Sequence, residues 1–159
     1  TVSGNVSYGD NGKGEISTEK VKEAIEVAQG KDFVEKMENS YDTQMAQGGS
    51  NVSGGQKQRI SIARAIARNP EIYIFDDSFS ALDYKTDSIL RKELKKYTKD
   101  ATTLIVAQRI GTIMNADKIL VLDEGNLVGM GTHKELLESC EVYKQIALSQ
   151  LSKEELDNA

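Results

Sequence analysis

The nine residues Asn51-Val52-Ser53-Gly54-Gly55-Gln56-Lys57-Gln58-Arg59 join a helix-capping hydroxyl to two glycines and a polar, partly basic run. Ser53 stands where a helix N-cap should, the glycines let another molecule approach the backbone, and the helix start adds partial positive charge. Such a place suits an anion, typically phosphate, although Ser-Gly-Gly alone favours an ordinary capped helix and it is the element that follows that tips the balance. The following apolar run, Ile72-Tyr73-Ile74-Phe75, closes on two carboxylates, Asp76 and Asp77, the first of them 23 residues after Ser53. Carboxylates at the C-terminal end of a parallel strand lie where α/β proteins bind ligands. Asp76 has the chemistry to hold Mg²⁺ through water, because this hard cation takes oxygen ligands and keeps much of its hydration shell. Asp77 has the chemistry of a general base that orients an attacking water.

The elements that must position these groups can be read from spacing. Residues 9–14 are turn chemistry, and Ser17-Thr18-Glu19 then opens a helix with Val21, Ala24, Ile25 and Ala28 on one stripe, stopping at Gly30. A short helix is expected over 32–38 with Phe33, Val34 and Met37 inward, followed by a polar, irregular stretch over 39–51. From Ser53 a long helix buries Ile60, Ile62, Ala63, Ile66 and Ala67, shows Lys57, Arg59, Arg64 and Arg68 on its polar face, and ends at Asn69-Pro70. Three apolar runs, 72–75, 103–107 and 119–122, are continuous rather than alternating, which suits strands buried on both faces of a parallel sheet. A helix over about 84–97 makes the first two a βαβ crossover. Asp123-Glu124-Gly125-Asn126 signals a hairpin into Leu127-Val128-Gly129-Met130, Thr132 to Glu135 has capping-box spacing, and a last helix from about Val142 runs into an acidic tail. The fold class is α/β.

Composition removes several alternatives. A chain of 159 residues with 38% apolar and 28% charged residues and a single proline is globular, of a size for one domain. Its net charge of −5, with no concentrated basic face, argues against a nucleic-acid partner. No apolar run nears the roughly 18 to 20 residues that span a bilayer. One cysteine, Cys140, and one histidine, His133, exclude internal disulfides and zinc clusters and favour a cytosolic setting.

Taken together the motifs resemble the exporter-type nucleotide-binding domain of ATP-binding cassette (ABC) transporters. Val52 to Arg59 is similar to that family's signature motif, Ile72 to Asp77 to its Walker B strand, and Ser80-Ala81-Leu82-Asp83 to its D-loop. The similarity continues through Ile105-Val106-Ala107-Gln108-Arg109 and Gly131-Thr132-His133-Lys134-Glu135-Leu136-Leu137, so it covers nearly the whole chain. The resemblance implies a partial P-loop NTPase-like cassette. A helical signature subdomain would span about 15–68, the Walker B half of a mostly parallel core sheet about 69–131, and C-terminal helices about 132–159. It implies ATP and Mg²⁺ as cofactors, with Asp76 at the metal and Asp77 and Gln108 as catalytic-position residues. Ser53, Gly54, Gly55, Gln56 and Asp83 would serve nucleotide across an interface. The implied partners are a second cassette, docked head to tail, and a transmembrane domain, at the cytoplasmic face of the membrane.

The departures from the family pattern are specific. Asp77 replaces the catalytic glutamate and is one methylene shorter, and a misplacement of about 1 Å can cost on the order of a hundredfold in rate. Gln108 replaces the switch histidine; it can hydrogen-bond a γ-phosphate but cannot titrate. Gln47 stands where the family usually has Glu. Beside an intact Ser-Gly-Gly-Gln, this combination resembles the degenerate half of a heterodimeric exporter, whose signature completes the partner's competent site. Two other readings stay open: a non-catalytic regulatory or scaffolding cassette, and a soluble ABC-type ATPase, which the exporter-like stretch from Val106 to Leu137 argues against.

A phosphate-cradling loop needs Gly-x-x-x-x-Gly-Lys-Ser/Thr. The nearest match, Gly12-Lys13-Gly14, has Ser7 in place of the first glycine and Gly14 in place of the Mg²⁺-binding hydroxyl, so it reads as a turn. Neither this loop nor the family's Q-loop is found, and Thr1 to Val6 resembles the segment just after the Q-loop. The chain is therefore expected to begin partway through the cassette and to be soluble but inactive alone. Without an interior strand it should leave apolar edges uncovered and be marginally stable or be rescued by pairing with another chain. His133 reads as a first-turn helix residue, Cys140 as a packing residue, and Arg91-Lys92 and Lys95-Lys96 as a solvated helix face.

Overall fold

The computed structural model describes residues 1–9, 12 and 14–151; Lys13 and the acidic tail lie outside them. The chain divides into two units, 1–104 and 105–159.

The first unit holds the long helix that carries the Ser-Gly-Gly-Gln turn. Helix α1 spans Val2–Val6 and α2 spans Thr18–Val27, where the Ser17 hydroxyl accepts from the Lys20 N–H at 3.2 Å. Val21, Ala24, Ile25 and Ala28 are buried, as their spacing predicts. Helix α3, Lys31–Glu35, is shorter than the expected 32–38. Only Val34 is buried there, and the Met37 N–H already folds back to the Val34 carbonyl. Helix α4, Gly54–Arg68, buries the five predicted apolar residues and ends on Asn69 in the left-handed region (φ 45°, ψ 58°).

The polar face of α4 has a structural task that its composition does not announce. The Arg64 Nε donates to the Asn5 carbonyl at 2.6 Å and its Nη2 to the Asn5 Oδ1 at 3.1 Å, while the Arg68 guanidinium donates to the Ser7 carbonyl. These cations neutralise the carbonyl end of α1, the favourable place for positive charge, and so latch α1 onto α4. Val2 and Val6 are fully buried as a result.

Strand β1, Ile72–Asp76, pairs with β2, Thr102–Val106, and helix α5, Tyr84–Tyr97, connects them, the crossover that a parallel pair requires. The expectation of burial on both faces fails for β1, which buries one face, and for β2, none of whose residues is fully buried. Tyr73 and Phe75 are buried and stacked at 5.9 Å between ring centroids, whereas Ile72 and Ile74 are 62% and 66% exposed, and Leu104 on β2 is 48% exposed. The buried aromatics face Phe79, 5.6 Å from Phe75, and apolar residues fill only that side of β1. On α5, Leu90 and Leu94 face inward. Arg91, expected on a solvated face, instead grips the buried Asp87 with two bonds of 3.0 Å.

The second unit contains α6 (Ile110–Ile113), β3 (Ile119–Asp123), β4 (Asn126–Gly131), α7 (His133–Ser139) and α8 (Glu141–Gln150). β3 and β4 form an antiparallel hairpin running from Ile119 opposite Gly131 to Asp123 opposite Asn126, with an irregularity between Val121 and Leu122. Glu124 and Gly125 both have positive φ, 46° and 79°, the requirement of the tight hairpin turn foreseen there. Ile110, Ile119, Val121, Leu136, Cys140, Tyr143 and Ala147 make the core, while Leu120, Leu122 and Met130 are exposed. His133 is the first residue of α7, behind a Thr132–Glu135 capping box, and its Nδ1 lies 2.7 Å from the Tyr143 hydroxyl.

Candidate functional site

The start of α4 is fixed by reciprocal bonds. The Ser53 Oγ accepts from the Gln56 N–H at 3.3 Å, and the Gln56 Oε1 accepts from the Ser53 N–H at 2.9 Å. The first backbone bond of the helix runs from the Lys57 N–H to the Ser53 carbonyl at 2.9 Å. The N–H groups of Gly54 and Gly55 therefore precede the helical ladder and are left to an outside acceptor. Beside them lies a cleft of about 450 Å³ lined by Ser53, Gly54, Gly55, Arg59, Asp83 and Thr86, with Ala81 and Leu82. Gly55 is dictated by packing: a β-carbon there would sit 3.0 Å from the Ala81 carbonyl oxygen.

Arg59 supplies the positive wall of the cleft. Its Nη1 donates to the Gln29 carbonyl at 2.7 Å, its Nε to the Gly55 carbonyl at 3.3 Å, and its guanidinium lies 4.6 Å from the centre of the Phe33 ring. Burial lowers its pKa, and the charges of Asp83 and Asp32 oppose that effect. Opposite, Asp83 caps α5, accepting from the Thr86 N–H at 3.0 Å and from its hydroxyl at 2.7 Å. The Thr86 side-chain and backbone bonds hold this exposed carboxylate below its usual pKa.

Asp76 ends β1 with its side chain exposed, and Asp77 turns the chain with φ of +46°. A non-glycine residue in that region costs about 1 to 2 kcal/mol, and aspartate is among the residues that accept it. The Ser80 hydroxyl lies 3.0 Å from the Asp77 Oδ2 and 3.2 Å from the Asp77 carbonyl. The Asp77 carboxylate is thus folded back on its own loop. Gln108 lies in the second unit with its side chain exposed; its carbonyl accepts from the Gln150 Nε2 at 2.9 Å, and the Gln150 Oε1 accepts from the Ile110 N–H at 2.9 Å.

The structure therefore gathers Ser53, Gly54, Gly55 and Asp83 around one cleft, with Gln56 spent on capping. It sets Asp76 and Asp77 at the end of β1, outside that lining, and Gln108 on the other unit. Three contributors escaped the sequence reading. Arg59 and Gln58 sit on a helix face whose polarity explains itself, and Gln150 acts across 42 residues on Gln108, which no local pattern encodes. Among the described residues no three His, Cys, Asp or Glu side chains cluster as a metal site. A lone Asp76 still fits a hydrated Mg²⁺ that takes further oxygens from a phosphate.

A family model described as ABC transporter matches residues 2–80. The chain is 44% identical over 150 residues to an uncharacterized ABC transporter ATP-binding protein of Mycobacterium tuberculosis, covering 94% of this chain and 25% of that protein. It is 40% identical over 146 residues to an ATP-dependent lipid A-core flippase of Aliivibrio fischeri, covering 92% and 25%. Among solved structures, a bacterial Atm1-family ABC exporter with ATP bound superposes with a TM-score of 0.89 at 35% identity, over 96% of this chain and 26% of that one.

This chain belongs to the ABC transporter ATP-binding family.

Its fold is accordingly the α/β ABC cassette in part, and the chain spans about a quarter of the length of the relatives it matches. Among its described residues no helix is long and apolar enough to cross a membrane.

Proposed function

We propose that this chain is the ATP-binding domain of an ABC exporter, working at the cytoplasmic face of a membrane and coupling ATP binding and hydrolysis to transport by a transmembrane domain. Its relatives include a lipid A-core flippase and its structural neighbour is an exporter, which supports this direction over the soluble ATPase. The finer reading is that it is the degenerate cassette of a head-to-tail heterodimer. Its Ser53–Gln56 turn completes the nucleotide site of the partner cassette, and its own Asp77 side hydrolyses slowly or not at all.

One observation carries that reading: the cap is closed on itself and presents the Gly54 and Gly55 N–H groups beside Arg59, while the Asp77 carboxylate is engaged by the Ser80 hydroxyl. Donors aimed at phosphate oxygens in a fixed arrangement stabilise developing charge without reorganising. Bound Mg-ATP supplies the phosphoryl group and its counter-ion. Around it, Gly54 and Gly55 donate to terminal phosphate oxygens of the partner-held nucleotide, and Asp83 senses the partner across the interface. On the chain's own side Asp76 holds the hydrated cation. Asp77, short and already hydrogen-bonded, orients water poorly, and Gln108 donates an amide N–H to phosphate without moving a proton.

Calorimetric titration of the 159-residue chain with Mg-ATP tests the division of labour. A half-site that serves a partner gives no saturable heat alone. Tight, saturable binding would mean that the chain builds a complete phosphate site of its own, and the half-site reading would fall.

A further inference from the structure

Gln58 connects the two functional segments of the first unit. It projects from the second turn of α4, and its carboxamide is used on every side. One Nε2 hydrogen faces the Asp77 carbonyl at 3.1 Å and the other the Ser80 Oγ at 3.1 Å, while the Oε1 accepts from the Ala81 N–H at 3.0 Å. The Ala81 bond fixes which end of the amide is oxygen, since a backbone N–H needs an acceptor. The same loop returns to the helix a second time, where a β-carbon on Gly55 would stand 3.0 Å from the Ala81 carbonyl oxygen, a contact that only a shift of a few tenths of an ångström would relieve. Ser80, receiving the Gln58 amide, is oriented to donate its hydroxyl hydrogen bond to Asp77, its Oγ standing 3.0 Å from the Oδ2 and 3.2 Å from the carbonyl.

We propose that Gln58 is a positioning residue that locks the Ser53–Gln56 turn to the 77–81 loop, so that the half-site offered to a partner and the chain's own carboxylate side adopt their working geometry together. The proposal rests on the functional reading above. Gln58 acts through Asp77, Ser80 and Ala81, the three residues its carboxamide contacts. A rigid link of this kind transmits a displacement of the 77–81 loop directly to the Gly54 and Gly55 donors, because α4 moves as one body on the Gln58 carboxamide and the Gly55 contact.

The test uses the full-length exporter containing this chain, with Gln58→Ala, Gln58→Glu, Ser80→Ala and Ser53→Arg compared for ATP turnover and melting temperature. Gln58→Glu keeps the shape and the acceptor for Ala81 but removes both amide donors, so it carries the test should Gln58→Ala misfold. Both Gln58 variants are expected to lower kcat about tenfold or more while the KM for ATP stays within about twofold. Adding Ser80→Ala to Gln58→Ala should cost far less than it does alone, since both act on one network. Amide exchange at Ala81 in the chain should accelerate in Gln58→Ala and not in Gln58→Glu. An unchanged kcat in the Gln58 variants, with turnover abolished by Ser53→Arg, would overturn the proposal and leave the functional reading standing. Additive losses that track melting temperature would reduce Gln58 to packing and overturn it as well. Indifference to Ser53→Arg would sink the functional reading and the proposal together.

Discussion

Replacing Gly55 by alanine separates stability from function at the cleft. The added β-carbon would lie 3.0 Å from the Ala81 carbonyl oxygen and 3.6 Å from the Leu82 Cδ2. Carbon to carbonyl oxygen contacts settle at about 3.3 to 3.6 Å, so the loop or the helix must yield by roughly 0.3 to 0.6 Å. Ala81 cannot yield freely, because its N–H is held by Gln58 at 3.0 Å. Overpacking of this kind costs about 1 to 3 kcal/mol, and the gain in helix propensity over glycine returns about 1 kcal/mol. The expected net loss is therefore between about 0 and 2 kcal/mol, readable as a shift in the urea midpoint with an unchanged slope. Since a displacement of 1 Å costs on the order of a hundredfold, half of that distance should lower turnover by about tenfold. Gly54→Ala is the control, because its β-carbon meets only the Ala81 Cβ at an ordinary 3.6 Å. It should leave stability unchanged or slightly raised and still impair turnover by crowding the cleft. Wild-type turnover and increased stability in Gly55→Ala would refute the argument that the close approach to Ala81 sets the geometry of the turn.

Other consequences follow from the second unit and the exposed faces. His133 is buried with its Nε2 unpartnered, and burial, reinforced by Lys134, holds its pKa below the ordinary 6.5. Its neutral form therefore contributes stability above that ordinary value, and this is lost as pH falls through it toward the folded pKa; a flat urea midpoint on acidification would contradict this. Tyr143→Phe removes the Nδ1 partner and should cost about 1 to 3 kcal/mol at neutral pH, measured by denaturant unfolding. Gln150→Ala should cost about 1 kcal/mol and speed amide exchange at Ile110; unaltered exchange there would show that the Gln150 bracket is idle. The exposed Ile72, Ile74 and Leu104 predict concentration-dependent association of the chain, and a monomeric mass with a sharp, concentration-independent thermal transition would count against it.

Local signals carried most of the helices. Ser17, Ser53 and Thr132 each cap the helix that their spacing announces, Asp83 caps α5 although its motif pointed only to the interface, and the apolar stripe of α4 is buried residue for residue. Two short helices, α1 and α6, were not legible. α1 is a five-residue helix whose carbonyl end is held by Arg64 and Arg68, some 60 residues away, and the first N–H of α6 is taken by Gln150. The apolar run of β1 suggested burial on both faces because composition records what a strand can bury. In this chain only the Tyr73 and Phe75 side is covered. At the site, residue types identified the anion-binding turn and the two carboxylates. Side-chain traffic between elements was beyond them: Gln58 and Arg59 look like solvent-facing helix residues, yet one is bonded to the 77–81 loop and the other to Gln29.

The most direct test of the account compares ATP turnover of the full-length exporter carrying Ser53→Arg or Asp77→Glu in this chain. The account predicts that Ser53→Arg abolishes turnover by blocking the site completed for the partner, and that Asp77→Glu raises it by restoring reach to the chain's own water. Unchanged turnover in both would contradict the assignment of the Ser53–Gln56 turn and of Asp77 to the two nucleotide sites.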